Sequence, residues 1–273
     1  MRRRQINLWL GAVLVGLMTV IAAVSLIWTP HEVAQLAISQ KFQPPSPQNW
    51  LGTDQLGRDV VSLLMAASVN SLTVAFVAVG IGGAIGTALG LAASAWGGWV
   101  ETLVMRLADL GFAFPALLFA IMLAAAFGPS LGNAILAIAF INIPIFARVA
   151  RGAANQVWTR DFVLAGQVAG LGRLRLTVDH ILPNIAAPII VQATIEFAVA
   201  ILAEAALSYL GLGAQPPLPS WGWMLAEAQT LMYLAPELAI YPGLCIIAAV
   251  LGFGLLGDGL RDVTDPRLTR ARA

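Results

Sequence analysis

Lysine is almost absent from this sequence: of fifteen Lys and Arg residues, only Lys41 is a lysine. No GxxxxGK[ST] stretch exists, so the chain has no phosphate-cradling loop and cannot hydrolyse ATP by that route. Histidine is restricted to His31 and His180 and cysteine to Cys245. That excludes HExxH and CxxC motifs, an intrachain disulfide and a His-rich metal centre; Cys245 lies in an apolar run and reads as packing. Charge is scarce as well, at 11% of residues, against about 25% in an ordinary soluble domain.

Hydrophobic residues make up 59% of the chain and the mean hydropathy is +0.83. Long apolar runs with so little charge indicate a polytopic, all-α membrane protein. Arg2, Arg3 and Arg4 precede an apolar run over 6–28. It is longer than the ~7–15 residues of a signal-peptide core, so it reads as a retained first span. Residues 29–70 form a loop with the Pro-rich piece FQPPSPQNW, ending in an interfacial helix over 60–69. The remainder, 71–273, holds five further spans, over 72–96, 108–127 (with Pro115 inside), 134–146, 187–210 and 238–256. A GPSLGN turn occupies 128–133. The glycines of GIGGAIGTALG (80–90) fall inside a span. There small residues let helices approach closely, which is a packing role and not a nucleotide loop.

Six spans with a cytoplasmic N-terminus put Arg2, Arg3, Arg4, Arg106, Arg148, Arg151, Arg160, Arg173, Arg175, Arg261, Arg267, Arg270 and Arg272 inside. Only Lys41 and Arg58 are then outside. This bias fixes the orientation and returns the C-terminus to the cytoplasm. Ser208 and His180 then fall on opposite sides of the membrane, which leaves no Ser/His pair and no catalytic site.

The segment DFVLAGQVAGLGRLRLTVDHILPN (161–184) is a polar interruption between two apolar runs. Asp161–Val168 can form a short helix with an acid at its positive end. Phe162, Ala165, Val168 and Ala169 lie near one face by helical spacing. Gly170 and Gly172 break the helix. Leu174, Leu176 and Val178 alternate with polar residues, and Pro183 marks the restart toward the membrane. Two readings stand, a helix resting on the bilayer surface and a docking element for a cytoplasmic partner.

Here a resemblance enters. DFVLAGQVAG followed by HILPN (180–184) resembles the EAA loop of bacterial ABC importer permeases. Those usually read DYVEAARxLG, so Leu164 stands where Glu is usual and Gly166 where the second Ala is usual. NWLGTDQLGRDV (49–60), LSYLGLGAQPPLPSWGWML (207–225) and YPGLCIIAAVLGFGLLGDGLRDVTDPRL (241–268) resemble blocks of the dipeptide/oligopeptide/nickel branch, in the expected order. The likeness is to its C-type permease subunits. It implies a type I ABC importer permease fold in the bacterial inner membrane. It also implies a second homologous permease subunit, two ABC ATPases, and a periplasmic or lipid-anchored binding protein. ATP and Mg would be bound by the partners and none by this chain; the lipid bilayer is the other partner, and no nucleic acid is expected. The coupling loop would be about 152–186, with Asp161, Phe162, Val163, Leu164, Ala165, Gly166, Val168, Ala169, Gly170 and Leu171 meeting the ATPase. Substrates of the branch include dipeptides, oligopeptides, nickel and glutathione.

Glu196 and Glu204 lie inside the fifth span, about 12 Å apart along a helix. An acid at mid-membrane costs about 2.5–3.5 kcal/mol on insertion scales, so it faces protein or a wet cavity. They either line the translocation path or fix packing through interhelical hydrogen bonds. They also underlie a rival reading, an ion-coupled secondary transporter, although the inverted repeats common in such carriers are not evident. A non-transport membrane scaffold is a third reading. Asp54, Arg58 and Asp59 are candidates for contact with the binding protein or the partner permease, or for a local ion pair. Asp109 is placed to pair with Arg106 by helical spacing. Trp221 and Trp223 read as interfacial anchors.

Overall fold

Apolar runs of this length leave the backbone one inexpensive solution, helices whose hydrogen bonds close internally. The computed structural model describes residues 2–264, with side chains from Ile6 to Val263. Arg267, Arg270 and Arg272 lie outside the described residues, as do the side chains of Arg2, Arg3 and Arg4. The helices are α1 (Arg2–Ser25), α2 (Val60–Trp96), α3 (Gly98–Ala113), α4 (Ala116–Phe127), α5 (Leu131–Trp158), α6 (Asp161–Val168), α7 (Arg173–Leu176), α8 (Leu182–Tyr209), α9 (Trp221–Ala228) and α10 (Glu237–Thr264). Among the described residues, five stretches are long and apolar enough to cross a membrane, and the α3–α4 pair makes a sixth if its two arms form one span.

The boundaries differ from expectation in four places. The expected interfacial helix over 60–69 and the span after it are one unbroken helix of 37 residues, α2, because nothing in that stretch breaks a helix. The expected span over 108–127 is instead two helices bent by 81°. Pro115 is the cause: it lacks an N–H and drives Phe114 into an extended conformation, φ −86 and ψ 119. The expected span over 134–146 extends through Arg148 and Arg151 to Trp158. Those arginines do not end α5, because Asp109 and Glu101 on α3 neutralise them. Lastly, the restart toward the membrane does not wait for Pro183: the alternating stretch after Gly172 is already helical. It is α7 followed by a π-helical turn, Thr177–Ile181, that runs directly into α8. Pro183, which has no N–H to continue the ladder, sits directly after that π turn in the first turn of α8.

The central seam joins α2 to α5. Gly82, Gly86 and Gly90 recur every fourth residue and lie against the α5 backbone. A Cβ on Gly86 would stand 2.4 Å from the Ile143 carbonyl oxygen, and one on Gly90 2.3 Å from that of Ala147. In lipid, close packing of this kind replaces the hydrophobic drive for helix association. Gly86→Leu is therefore expected to pry the seam apart at a cost of at least about 1–3 kcal/mol, read as a lowered unfolding midpoint in detergent. Gly80, with open space around it, should accept alanine without loss.

α8 completes the core against α2, α5 and α10. Phe76, Phe197 and Phe253 meet there, with centroids 4.6 to 6.0 Å apart. α1 lies against α10 at a second glycine crossing, where Gly11 meets the Leu256 backbone and Gly259 meets Leu8. The start of α1 and the end of α10 therefore lie on the same side. Trp9, Val13, Leu17 and Val20 of α1 point outward, the reverse of a soluble protein and the pattern expected where the solvent is lipid.

The elements leave two polar ends. One carries Arg106, Arg148, Arg151, Arg160, Arg173 and Arg175 and is called the arginine-rich end below. The other holds the two Pro-rich loops, 42–50 and 215–219.

Candidate functional sites

At the arginine-rich end, α6 hangs between α5 and α8. Its acid Asp161 is in the first turn, favourable at the positive helix end. The chain leaves the helix through Gly170 at φ +81, the left-handed region where glycine carries no Cβ penalty. The buried face is the one opposite Phe162, Ala165, Val168 and Ala169. Val163 and Gly166 point inward, joining Leu91, Ala150, Ala154, Leu176, Ile181 and Ile185. Gly166 has to be small: a Cβ there would stand 2.8 Å from Leu176 Cδ2. Phe162, Leu164, Ala165, Val168, Ala169 and Gly170 are exposed, and Leu171 is partly buried beneath them. Phe162, Leu164 and Val168 are 46%, 45% and 90% exposed. His180 on the π turn lies edge-on to Phe162, centroids 6.4 Å apart.

At this end, ion pairs tie α5, which leads into the segment, to α3. Arg151 pairs with Glu101, and Arg148 pairs with Asp109 at 2.5 Å while its guanidinium covers Phe112. Asp109 thus meets Arg148 rather than Arg106. Arg148 is already held beside Asp109 by its contact with Phe112, three residues further along α3. Arg175 and Asp179 pair at 3.3 Å on the segment's exposed surface.

At the opposite end, Glu204 occupies a closed polar knot. It is 0% exposed, as are Ser71, Ser208 and Ser220 around it. Ser71 Oγ of α2 donates to Oε2 at 2.8 Å, and Ser208 Oγ of α8 donates to Oε1 at 2.7 Å. Each hydroxyl also accepts a backbone N–H, Ser71 from Trp221 and Ser208 from Ala214. Glu204 therefore ties α2, α8, the following loop and the start of α9 together, and no face of it is open to a solute. Glu196, two turns earlier, is 6% exposed and accepts one hydrogen bond, from Gln192 Nε2 at 2.7 Å.

Trp221 is not an interfacial anchor: it is 2% exposed and its Nε1 donates to the Leu64 carbonyl. Gly222 beside it lets α9 rest on Ala205 of α8, where a Cβ would stand 2.3 Å from the Ala205 oxygen. Trp223 lies instead beneath the Arg58 guanidinium, 5.3 Å from the ring centroid.

The outer-face candidates are mostly turned inward. Asp54 accepts from the backbone N–H of Leu56 and Arg58 and from Arg58 Nε at 2.6 Å. Asp59 caps α2, accepting from Ser62 N and Oγ, and takes a further bond from Asn49 Nδ2. Arg58 reaches on to Glu227 of α9 at 2.9 Å. Burial pushes the Glu227 carboxyl above its usual range, and the Arg58 charge opposes that only in part. A folded-state value above the unfolded one means that the folded protein holds this proton more tightly. The contribution of Glu227 to stability is thus present at low pH and lost as pH rises through the raised value. Glu227→Gln is expected to flatten that part of the pH–stability profile, measured as unfolding midpoints in detergent between pH 4 and 8, and to leave stability near pH 8 unchanged or slightly raised.

No group of three or more His, Cys, Asp or Glu side chains that could hold a metal ion occurs among the described residues. Long apolar helices packed about a glycine seam, with a short helix that leaves large apolar side chains exposed, define a polytopic membrane protein. Residues 80–270 match the family described as "Binding-protein-dependent transport system inner membrane component", and the chain belongs to that family. It is 42% identical to the dipeptide transport system permease protein DppC of Alkalihalophilus pseudofirmus over 94% of this chain and 85% of that one. It is also 42% identical to the glutathione transport system permease protein GsiD of Escherichia coli, over 82% of this chain and 74% of that one. The inward-facing MetNI methionine ABC transporter shares the fold, with a TM-score of 0.61 at 18% identity over 74% of this chain and 97% of its own. The chain is a membrane-spanning permease subunit of an ABC importer, a transport subunit rather than an enzyme. An ion-coupled carrier is not favoured. Such an importer works with a partner permease, ATPase subunits and a binding protein.

Proposed function

We propose that this chain forms a heterodimer with a second homologous permease in a bacterial inner membrane, and that the pair passes dipeptides or a similar small peptide inward. The curated relatives support the substrate class, being named for dipeptide and for glutathione transport. The arginine-rich end is cytoplasmic, as the placement of positive charge argues. Both termini are cytoplasmic with it, and the Pro-rich end receives a binding protein.

The observation that carries the mechanism is the outward apolar face of α6. Large apolar side chains on the water side of a membrane protein mark a surface that a partner covers. The partner is one of two ATPases, which bind ATP and Mg; this chain binds neither. Asp161, Phe162, Leu164, Ala165 and Val168 meet the ATPase, while Val163, Gly166 and Leu171 tie the helix to the core. Closure of the ATPases moves α6, and the continuous path from α7 through the π turn carries that motion into α8. Glu196 is the pathway acid on α8, less enclosed than Glu204, and its carboxyl would meet a peptide amine. Glu204 holds the outer ends of α2, α8 and α9 together. Asp54 and Asp59 serve the fold, and Arg58 with Trp223 is the part of that cluster nearest a docked protein.

Affinity capture of the chain from gently solubilised membranes, with mass spectrometry of what accompanies it, tests this reading. Two ATPases and a second permease are expected. Recovery of the chain alone, under conditions that preserve other importers, would overturn it.

A further inference from the structure

Arg173 is on the wrong end of its own helix. It occupies the first position of α7, after Gly172, which offers no side-chain cap. A positive charge at a helix N-terminus opposes the macrodipole. Its guanidinium is directed elsewhere. Nη1 donates to the carbonyl oxygens of Ala95 and Trp96, at 3.2 and 3.3 Å. These are the final carbonyls of α2, which lack intrahelical partners and carry the negative end of that helix. Gly97 ends α2 by turning back to the Ala93 oxygen, which leaves the last two carbonyls to Arg173. The Arg173 carbonyl meanwhile accepts from Thr177 Oγ1 at 2.8 Å, the first residue of the π turn. One residue therefore touches the end of α2 with its side chain and the entrance to α8 with its backbone, three residues beyond the glycine that closes the α6 turn.

We propose that Arg173 is a positioning residue that pins the coupling segment to α2, so that displacement of α6 is passed to α2 as well as to α8. The consequence reaches far, because α2 is one unbroken helix, Val60–Trp96, and carries Ser71 of the Glu204 knot in its opposite half. Leu91 already gives α2 an apolar contact with the segment. That contact can slide, whereas donation to two fixed carbonyls cannot do so without breaking. The proposal rests on the reading of α6 as the ATPase dock.

The test uses the whole transporter, purified with its ATPases and partner permease. Spin labels are placed at Trp96→Cys on the end of α2 and Gln167→Cys on α6, in a Cys245→Ala background. Distances are measured without nucleotide and after trapping with ATP and vanadate. With Arg173 present, one narrow distance distribution is expected in both states, because the two elements move together. In Arg173→Ala the trapped state should shift or broaden, with ATPases still bound. Arg173→Lys, which can still donate to the same carbonyls, should restore most of the narrow distribution. An unchanged distribution in Arg173→Ala, or a label distance that already changes on trapping with Arg173 in place, would overturn the proposal. Loss of the ATPases from Arg173→Ala alone would overturn it too, by making Arg173 part of the dock. Absence of ATPases from the parent complex would count against the docking reading itself.

Discussion

Glu204→Leu is expected to destabilise the protein by about 3 kcal/mol, while Glu204→Gln keeps most of the stability. Leucine matches glutamate in bulk, so the loss is not one of volume. It removes the acceptor for the Ser71 and Ser208 hydroxyls, both 0% exposed. A buried donor left without a partner costs about 1–3 kcal/mol, and no bulk water reaches this site to replace the carboxylate. The two hydroxyls also anchor the Trp221 and Ala214 backbone N–H groups. The start of α9 should therefore loosen, and hydrogen exchange there should rise before the α2–α5 seam opens. Glutamine retains one acceptor oxygen and replaces the other with an amide that a serine oxygen can accept. The measurement is the unfolding midpoint in detergent, with exchange mapped along the chain. A leucine variant as stable as the parent would show that the knot does not hold these helices.

The second large effect is expected at the coupling face. Val168→Glu should weaken ATPase binding by about 100-fold, the scale of a central interface position made charged and desolvated, without altering insertion or stability. Val168 is 90% exposed and touches no core cluster, and exposed substitutions away from special features change stability by about 0.5 kcal/mol or less. Leu164→Glu is the instructive contrast. Leu164 stands where the resembled permeases usually have Glu, and its side chain is exposed on the same helix. This substitution should leave docking largely intact, so that position matters and not merely the introduction of a negative charge. Co-purification of ATPases with each variant, with binding measured on the isolated complex, distinguishes the two. Equal loss in both, or in neither, would contradict the proposed face.

The sequence made much of this arrangement legible, and the failures share a cause. Runs of apolar residues, Gly170 as the end of α6 and the small-residue stripe of α2 are local signals, and local signals read correctly. The length of α5 did not read correctly, because Arg148 and Arg151 look like the end of a span until Asp109 and Glu101 on another helix are seen beside them. The inward face of α6 could not be chosen from eight residues that are apolar nearly all round. It is selected by Leu176, which folds back from α7 against Gly166. Trp221 in a loop suggests an anchor, yet its burial is set by Ser71 and Leu64, about 150 positions away. The two membrane acids could be noticed but not told apart, since serines on two different helices enclose one and a single glutamine contacts the other.

The central claim is that ATP hydrolysed by partner subunits moves solute through this chain. Its most direct test is uptake into proteoliposomes holding the purified complex, with binding protein outside and ATP inside, using radiolabelled alanyl-alanine and glutathione as probes. The account predicts uptake of at least one probe that requires internal ATP, stops with vanadate and persists when proton and sodium gradients are collapsed. Uptake that proceeds without ATP and vanishes with an ion gradient would contradict it.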